Sequence, residues 1–178
     1  MLNGKKIVVA ITGCSPASHA LGIIAELKKL HADVYVVMTE NSTNFVTPLM
    51  VQRSVDHPIQ IEAFELPKTW DKSHQSLSQK TDLLLVAPAS ANILGKAANG
   101  IADNLLSTTI MSIRGPKVMA THINDMMYNS SSVQRNIKTL IGDGFIFVDN
   151  GNKEHPSHFP STDQIVNTVL QVLKVKDE

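Results

Sequence analysis

Three observations predict an α/β fold, a doubly wound parallel sheet of the Rossmann or flavodoxin-like kind, in a single three-layer α/β/α domain over residues 1–178. Strand-like and helix-like segments alternate along the chain. The strand-like runs are apolar without interruption, as strands covered on both faces require. Finally, 178 residues that are 43% hydrophobic and 18% charged supply one well-buried core but too little chain for two.

Lys6 to Thr12, KIVVAIT, is the first such strand, broken by Gly13-Cys14-Ser15-Pro16. From Ser18 to His31 the apolar residues Ala20, Ile23, Ile24, Leu27 and Leu30 recur at helical spacing, with Lys28 and Lys29 in the last turn. Asp33 to Thr39, DVYVVMT, is the second strand, and a short helix is expected near Thr43 to Gln52. Two prolines and mixed polarity assign Arg53 to Lys72 mostly to loop, with Ile59 to Phe64 a weak strand candidate. A short helix over Ser73 to Lys80 leads into the buried strand Asp82 to Ala87, and helices follow near Ser90 to Asn99 and Asn104 to Ile113. Lys117 to Ala120 is a short strand, and Ser131 with Gln134 has capping-box form at the head of a helix running to the Gly142 to Gly144 turn. Phe145 to Val148 is the last strand. Asp149 to Pro160, DNGNKEHPSHFP, is a polar loop long enough to serve as a substrate flap. Ser161 and Gln164 open the final helix with a second capping-box form.

Sixteen basic residues balance sixteen acidic ones, which points away from nucleic acid and anionic membranes and towards a small-molecule or peptide ligand. With 4% aromatic residues an extended base-stacking surface is not expected. A single cysteine, no signal-peptide pattern and no long apolar run give a cytoplasmic expectation.

In this fold ligands sit beyond the carboxyl ends of the strands. The relevant loops are Gly13 to Ser18, Thr39 to Phe45, Pro88 to Asn92 and Thr121 to Asn124. The stretch Thr81 to Thr109 is the centre of this reading, because its strand opens into a Ser- and Asn-containing turn at a helix start. Each polar residue there also has a plain structural reading: Ser90, Asn92 and Ser107 as caps, Asn124 as a turn residue, Cys14 as small packing. His155 and His158 sit three apart in a loop with no third ligand in sequence, so no metal is expected.

The segments Thr39 to Val46 (TENSTNFV), Pro88 to Thr109 and Asn124 to Ile137 resemble the homo-oligomeric flavin-containing cysteine decarboxylases. The family's Pro-Ala-Ser-Ala-Asn-Thr appears as Pro88-Ala89-Ser90-Ala91-Asn92-Ile93, followed by Asn99-Gly100-Ile101-Ala102-Asp103-Asn104-Leu105-Leu106. Its Pro-x-Met-Asn-x-x-Met-Trp appears as Thr121-His122-Ile123-Asn124-Asp125-Met126-Met127-Tyr128, keeping Asn124 and Met127 and departing at Thr121, Ile123 and Tyr128. His74 stands just upstream of the central strand, as the family's catalytic histidine does.

The resemblance implies FMN; the first loop is not Gly-x-Gly-x-x-Gly, so spacing alone names no cofactor. By that resemblance Gly13, Cys14 and Ser15, with Thr39 and Ser42, hold the phosphate. Ser90, Asn92, Asp103 and Ser107 lie near the flavin or a neighbouring subunit. The implied reaction is oxidative decarboxylation of a C-terminal cysteine. His74 takes the thiol proton as hydride leaves Cβ for the oxidised flavin, and the resulting thioaldehyde accepts the electrons of the departing carboxylate to give an ene-thiol. Asn124 holds the carboxylate, and Met127 belongs to the substrate side.

The phosphopantothenoylcysteine branch of the family carries a cysteine in the loop after the last strand, and Asp149 to Pro160 has none. The expectation is therefore a decarboxylase of lantibiotic precursor peptides ending in cysteine. The 4′-phosphopantothenoylcysteine decarboxylase of coenzyme A synthesis is the alternative, and a non-catalytic flavin-binding regulatory subunit a third. Family resemblance also implies a homotrimer or homododecamer.

Overall fold

The computed structural model describes residues 1–62 and 77–174. Its centre is a parallel sheet of β1 (Lys6–Ile11), β2 (Asp33–Met38), β3 (Leu83–Ala89), β4 (Lys117–Thr121) and β5 (Ile146–Phe147), in the order β2-β1-β3-β4-β5. The uninterrupted apolar runs have their cause in the layering. Ile7, Val9 and Ile11 face helices Ala20–Lys29, Pro48–Ser54 and Thr162–Lys174 on one side. Val8 and Ala10 face helices Ala91–Ala98, Leu105–Ser112 and Ser131–Gly142 on the other. Each large strand side chain so covered stabilises the fold by about 1.5–3 kcal/mol, which is why neither face of these strands tolerates a polar residue. The result is the doubly wound sheet expected.

β1 pairs with β2 from Lys6↔Asp33 to Ile11↔Met38 and with β3 from Ile7↔Leu83 to Ala10↔Val86. The chain thus runs outward from β1 in one direction and from β3 in the other. Loops leaving adjacent strands to opposite sides open a crevice at their carboxyl ends, and this is where such folds bind ligands.

Several elements differ from expectation in detail. The first helix is a 3₁₀ segment, Ser15–His19, followed by Ala20–Lys29, and it stops because His31 adopts the left-handed conformation (φ 65°). The helix expected near Thr43 to Gln52 splits into a 3₁₀ segment Glu40–Asn44 and a helix Pro48–Ser54, because Thr47 accepts the Met50 N–H as a cap and Pro48 fits the first helical turn. The strand candidate Ile59 to Phe64 lies within the described residues only as far as 62, and there Gln60 bridges to the β2 edge, donating to Val36 and accepting from Met38. Ser130, not Ser131, caps helix Ser131–Gly142 by accepting from Val133 N–H, while Gln134 reaches back to the Tyr128 carbonyl. The Ser161–Gln164 capping box forms reciprocally, at 2.8 and 3.2 Å. Among the described residues no helix is long and apolar enough to cross a membrane.

Candidate functional site

A cavity of about 790 Å³ opens at the carboxyl ends of β1 to β4. One buried hydroxyl holds its centre together. Thr12 Oγ1 donates to the Pro88 carbonyl at 2.7 Å and accepts the Ser90 N–H at 3.1 Å, fixing the loop after β1 to the loop after β3 across the switch point. The Ala87–Pro88 peptide is cis. Gly13 follows, and a Cβ there would lie 2.8 Å from Asn41 Cβ, so the close approach of this loop to the 3₁₀ turn after β2 requires glycine.

Of the residues assigned to cofactor in the sequence, Gly13, Cys14, Ser15, Thr39, Ser90, Asn92 and Asp103 line this cavity, as do Asn124 and Met127. Ser42 and Ser107 do not. Both are buried and bonded to local backbone: Ser42 Oγ donates to the Thr39 carbonyl at 2.6 Å. Ser107 completes a capping box with Asn104 at the head of helix Leu105–Ser112. Short hydroxyl side chains next to a helix start are drawn to backbone partners, and these two support the wall rather than form it. His74 lies outside the described residues.

The lining groups differ in how far they are satisfied. Ser90 Oγ caps helix Ala91–Ala98 by accepting from Ile93 N–H at 3.3 Å. Asp103 receives Lys96 Nζ on both carboxylate oxygens at 2.8 Å, and that hydrogen bond holds its carboxyl below the usual range. Cys14 Sγ sits 3.6 Å from both Thr12 Oγ1 and the His122 carbonyl, and burial pushes its thiol up. By contrast Thr39 Oγ1 is buried with no hydrogen-bond partner among the described residues, and so is His122 Nδ1. A buried polar atom left unpaired costs about 1–3 kcal/mol, and both residues line the cavity.

His122 is a lining residue that sequence reasoning passed over, because it occupies a variable position of the second motif. Its Nε2 is hydrogen bonded to Ser15 Oγ at 3.1 Å, and burial, then His158 and His19, hold its pKa below the ordinary imidazole value. Asn124 caps helix Asp125–Tyr128: its Oδ1 accepts Met126 N–H at 3.0 Å. That contact commits the carbonyl end of the amide, and Nδ2 has no partner among the described residues, leaving two N–H donors for an anionic group.

The loop Asp149 to Pro160 is tied down by its own side chains. Ser157 Oγ donates to Asp125 Oδ1 at 2.6 Å, His155 Nδ1 to Asp125 Oδ2 at 2.8 Å, and Ile123 N–H to the Ser157 carbonyl at 3.1 Å. The Ser157 hydrogen bond first, and then His155, lower the Asp125 pKa. The expectation that His155 and His158 lack a third ligand is corrected here: Asp125, thirty residues earlier, comes within reach of both.

The Flavoprotein family model matches residues 1–174. The coenzyme A biosynthesis bifunctional protein CoaBC of Bacillus subtilis (strain 168) is 36% identical over 149 residues, which make up 84% of this chain and 37% of that protein. The chain thus spans little more than a third of that relative's length. Among solved structures, the FMN-dependent cysteine decarboxylase SpaF superposes with a TM-score of 0.86 at 26% identity, covering 100% of both chains. The peptidyl-cysteine decarboxylase EpiD gives 0.81 at 25% identity, covering 94% of this chain and 99% of that one. A doubly wound sheet with its crevice at the β1/β3 switch point and a family match across nearly the whole sequence lead to one conclusion: the chain belongs to the Flavoprotein family.

Proposed function

We propose that this chain is an FMN-dependent decarboxylase that acts on the C-terminal cysteine of a peptide and releases an ene-thiol. The observation that carries the reading is the pairing, in one cavity, of an unpartnered hydroxyl at Thr39 with a free amide N–H pair at Asn124. The donor set suits FMN. Thr39, Ser15 and the loop at Gly13 and Cys14 would hold its phosphate end, and Asn92 and Ser90 would border the ring. Bound there, FMN supplies a two-electron acceptor.

The chain's own residues do the rest. Asn124 receives the substrate carboxylate on Nδ2 while its Oδ1 stays on the Met126 N–H, so the clamp is oriented before substrate arrives. Met127 provides an apolar contact beside it. His122, kept neutral by burial, adds no positive charge that would bind the carboxylate too tightly to lose it. His74 takes the thiol proton, a role that rests on its sequence position. Replacing it by Asn is expected to keep FMN and abolish turnover; turnover retained would remove it from that role.

The absence of cysteine from Asp149 to Pro160 favours an ene-thiol product and hence a peptide substrate. A second reading, decarboxylation of phosphopantothenoylcysteine, is favoured by the higher identity to CoaBC, 36% against 25–26%. Peptides ending in cysteine and phosphopantothenoylcysteine, each given anaerobically to the yellow protein, separate the two. Loss of CO₂ plus two hydrogens from the peptide, with flavin bleaching, supports the first reading; efficient conversion to phosphopantetheine replaces it with the second. Bound FMN with no turnover of either makes the chain a flavin-binding regulatory subunit. A homotrimer or homododecamer belongs to the same proposal and is read by sedimentation; Ile101, 46% exposed, and Met127, 54% exposed, offer apolar contact surface.

A further inference from the structure

We propose that Asp125, His155 and His158 form a binding site for a borderline transition-metal ion, Zn²⁺ by ligand chemistry, which staples the Asp149 to Pro160 loop to the end of β4. His155 Nδ1 is 2.8 Å from Asp125 Oδ2, His158 Nε2 is 3.8 Å from Asp125 Oδ1, and the three donor atoms lie within 4.8 Å of one another. Tetrahedral Zn²⁺, with ligand distances near about 2.0–2.1 Å, separates its donors by roughly 3.3 Å. Small side-chain rotations, one pair opening and the other closing, reach that spacing.

The surroundings are arranged about these three side chains. Ser157 Oγ donates to Asp125 at 2.6 Å, the kind of outer contact that orients a metal-bound carboxylate. Asn150 Nδ2 donates to the carbonyls of both His155 and His158, at 2.8 and 2.9 Å, so one amide fixes both histidines. Asn152 Oδ1 accepts the N–H groups of Glu154 and His155. The two imidazoles stack at 4.5 Å with planes 4° apart, facing a single carboxylate. An ion pair with Asp125 needs one of them; a divalent cation uses both. Two nitrogens and one oxygen select Zn²⁺ or Co²⁺ over Mg²⁺ or Ca²⁺, and three protein ligands leave a fourth position for water. This site stands independently of the decarboxylase reading.

The test uses the flavin-loaded, untagged protein after chelator treatment. Titration with Co²⁺, recorded as a difference spectrum against the same protein without metal, is expected to show the visible d–d bands of tetrahedral cobalt saturating at one equivalent and displaced by Zn²⁺. His158→Ala removes an exposed ligand that makes no hydrogen bond among the described residues through its ring, so the fold is not at risk. It is expected to weaken binding by more than about tenfold. Asp125→Asn is expected to do the same. Absence of cobalt bands in the unaltered protein, or unchanged affinity in His158→Ala, overturns the proposal.

Discussion

The wall of the cavity that ends β3 and the wall that ends β4 differ in what their polar side chains are bonded to. On the β3 side, Ser90 caps its helix, Asn104 and Ser107 cap each other, Lys96 and Asp103 are paired, and Thr12 bridges the crevice. On the β4 side, the Asn124 amide N–H pair and His122 Nδ1 are without partners among the described residues, and Met126 and Met127 are exposed at 86% and 54%. The first wall is a scaffold whose polar groups satisfy one another. The second keeps its groups available for chemistry, at a cost that the scaffold's surplus stability offsets.

The sharpest way to break this contrast is Asn124→Asp. Aspartate caps a helix as well as asparagine does, so the fold and FMN content are expected to survive. A carboxylate facing the substrate carboxylate should lower kcat/KM for a cysteine-terminated peptide by about 10²-fold or more. Next in size is Thr12→Val on the scaffold side, which leaves the Ser90 N–H unpaired and frees the two loops; it is expected to cost about 2 kcal/mol in urea unfolding and to release flavin. Ser90→Ala and Ser130→Ala remove equivalent caps inside and outside the cavity. Each should lose about 1 kcal/mol, and only the first should reduce flavin retention on dialysis. The smallest effect concerns Cys14. Burial holds its native pKa above that of the unfolded thiol, so the native state keeps its proton to higher pH. The associated stability is therefore complete at neutral pH and declines only as pH rises past the unfolded value, and a thiol reagent should react with the folded protein at a more alkaline onset than with free cysteine.

The sheet and most helices were legible because continuous apolar runs and 3.6-residue spacing are local signals that burial on two faces enforces. The Ser161–Gln164 box was legible for the same reason; the choice of Ser130 over Ser131 was not, since two adjacent serines offer the same cap and only packing of Val133 and Leu140 decides the phase. In the site, the residues with a place in a motif, Ser90, Asn92 and Asn124, were readable. Thr12 was not, because nothing in KIVVAIT distinguishes a terminal threonine that closes a strand from one that bridges to Pro88. Asp125 and the two histidines were equally hidden: each is ordinary alone, and the return of a loop thirty residues later makes them neighbours.

Thr12 and Pro88 are 76 residues apart in sequence, which turns their hydrogen bond into a statement about the order of events during synthesis. A nascent chain that has released only β1 and β2 carries one bank of the crevice and has nothing to close it against. The lining extends as far as Met127, so cofactor capture waits until β4 and the loop after it have left the ribosome. Helix Thr162–Lys174 then packs beside Ala20–Lys29 on the opposite face, away from the lining. Flavin uptake is thus a readout of long-range assembly, and a yellow colour in freshly made protein reports that the loops after β1 and β3 have met.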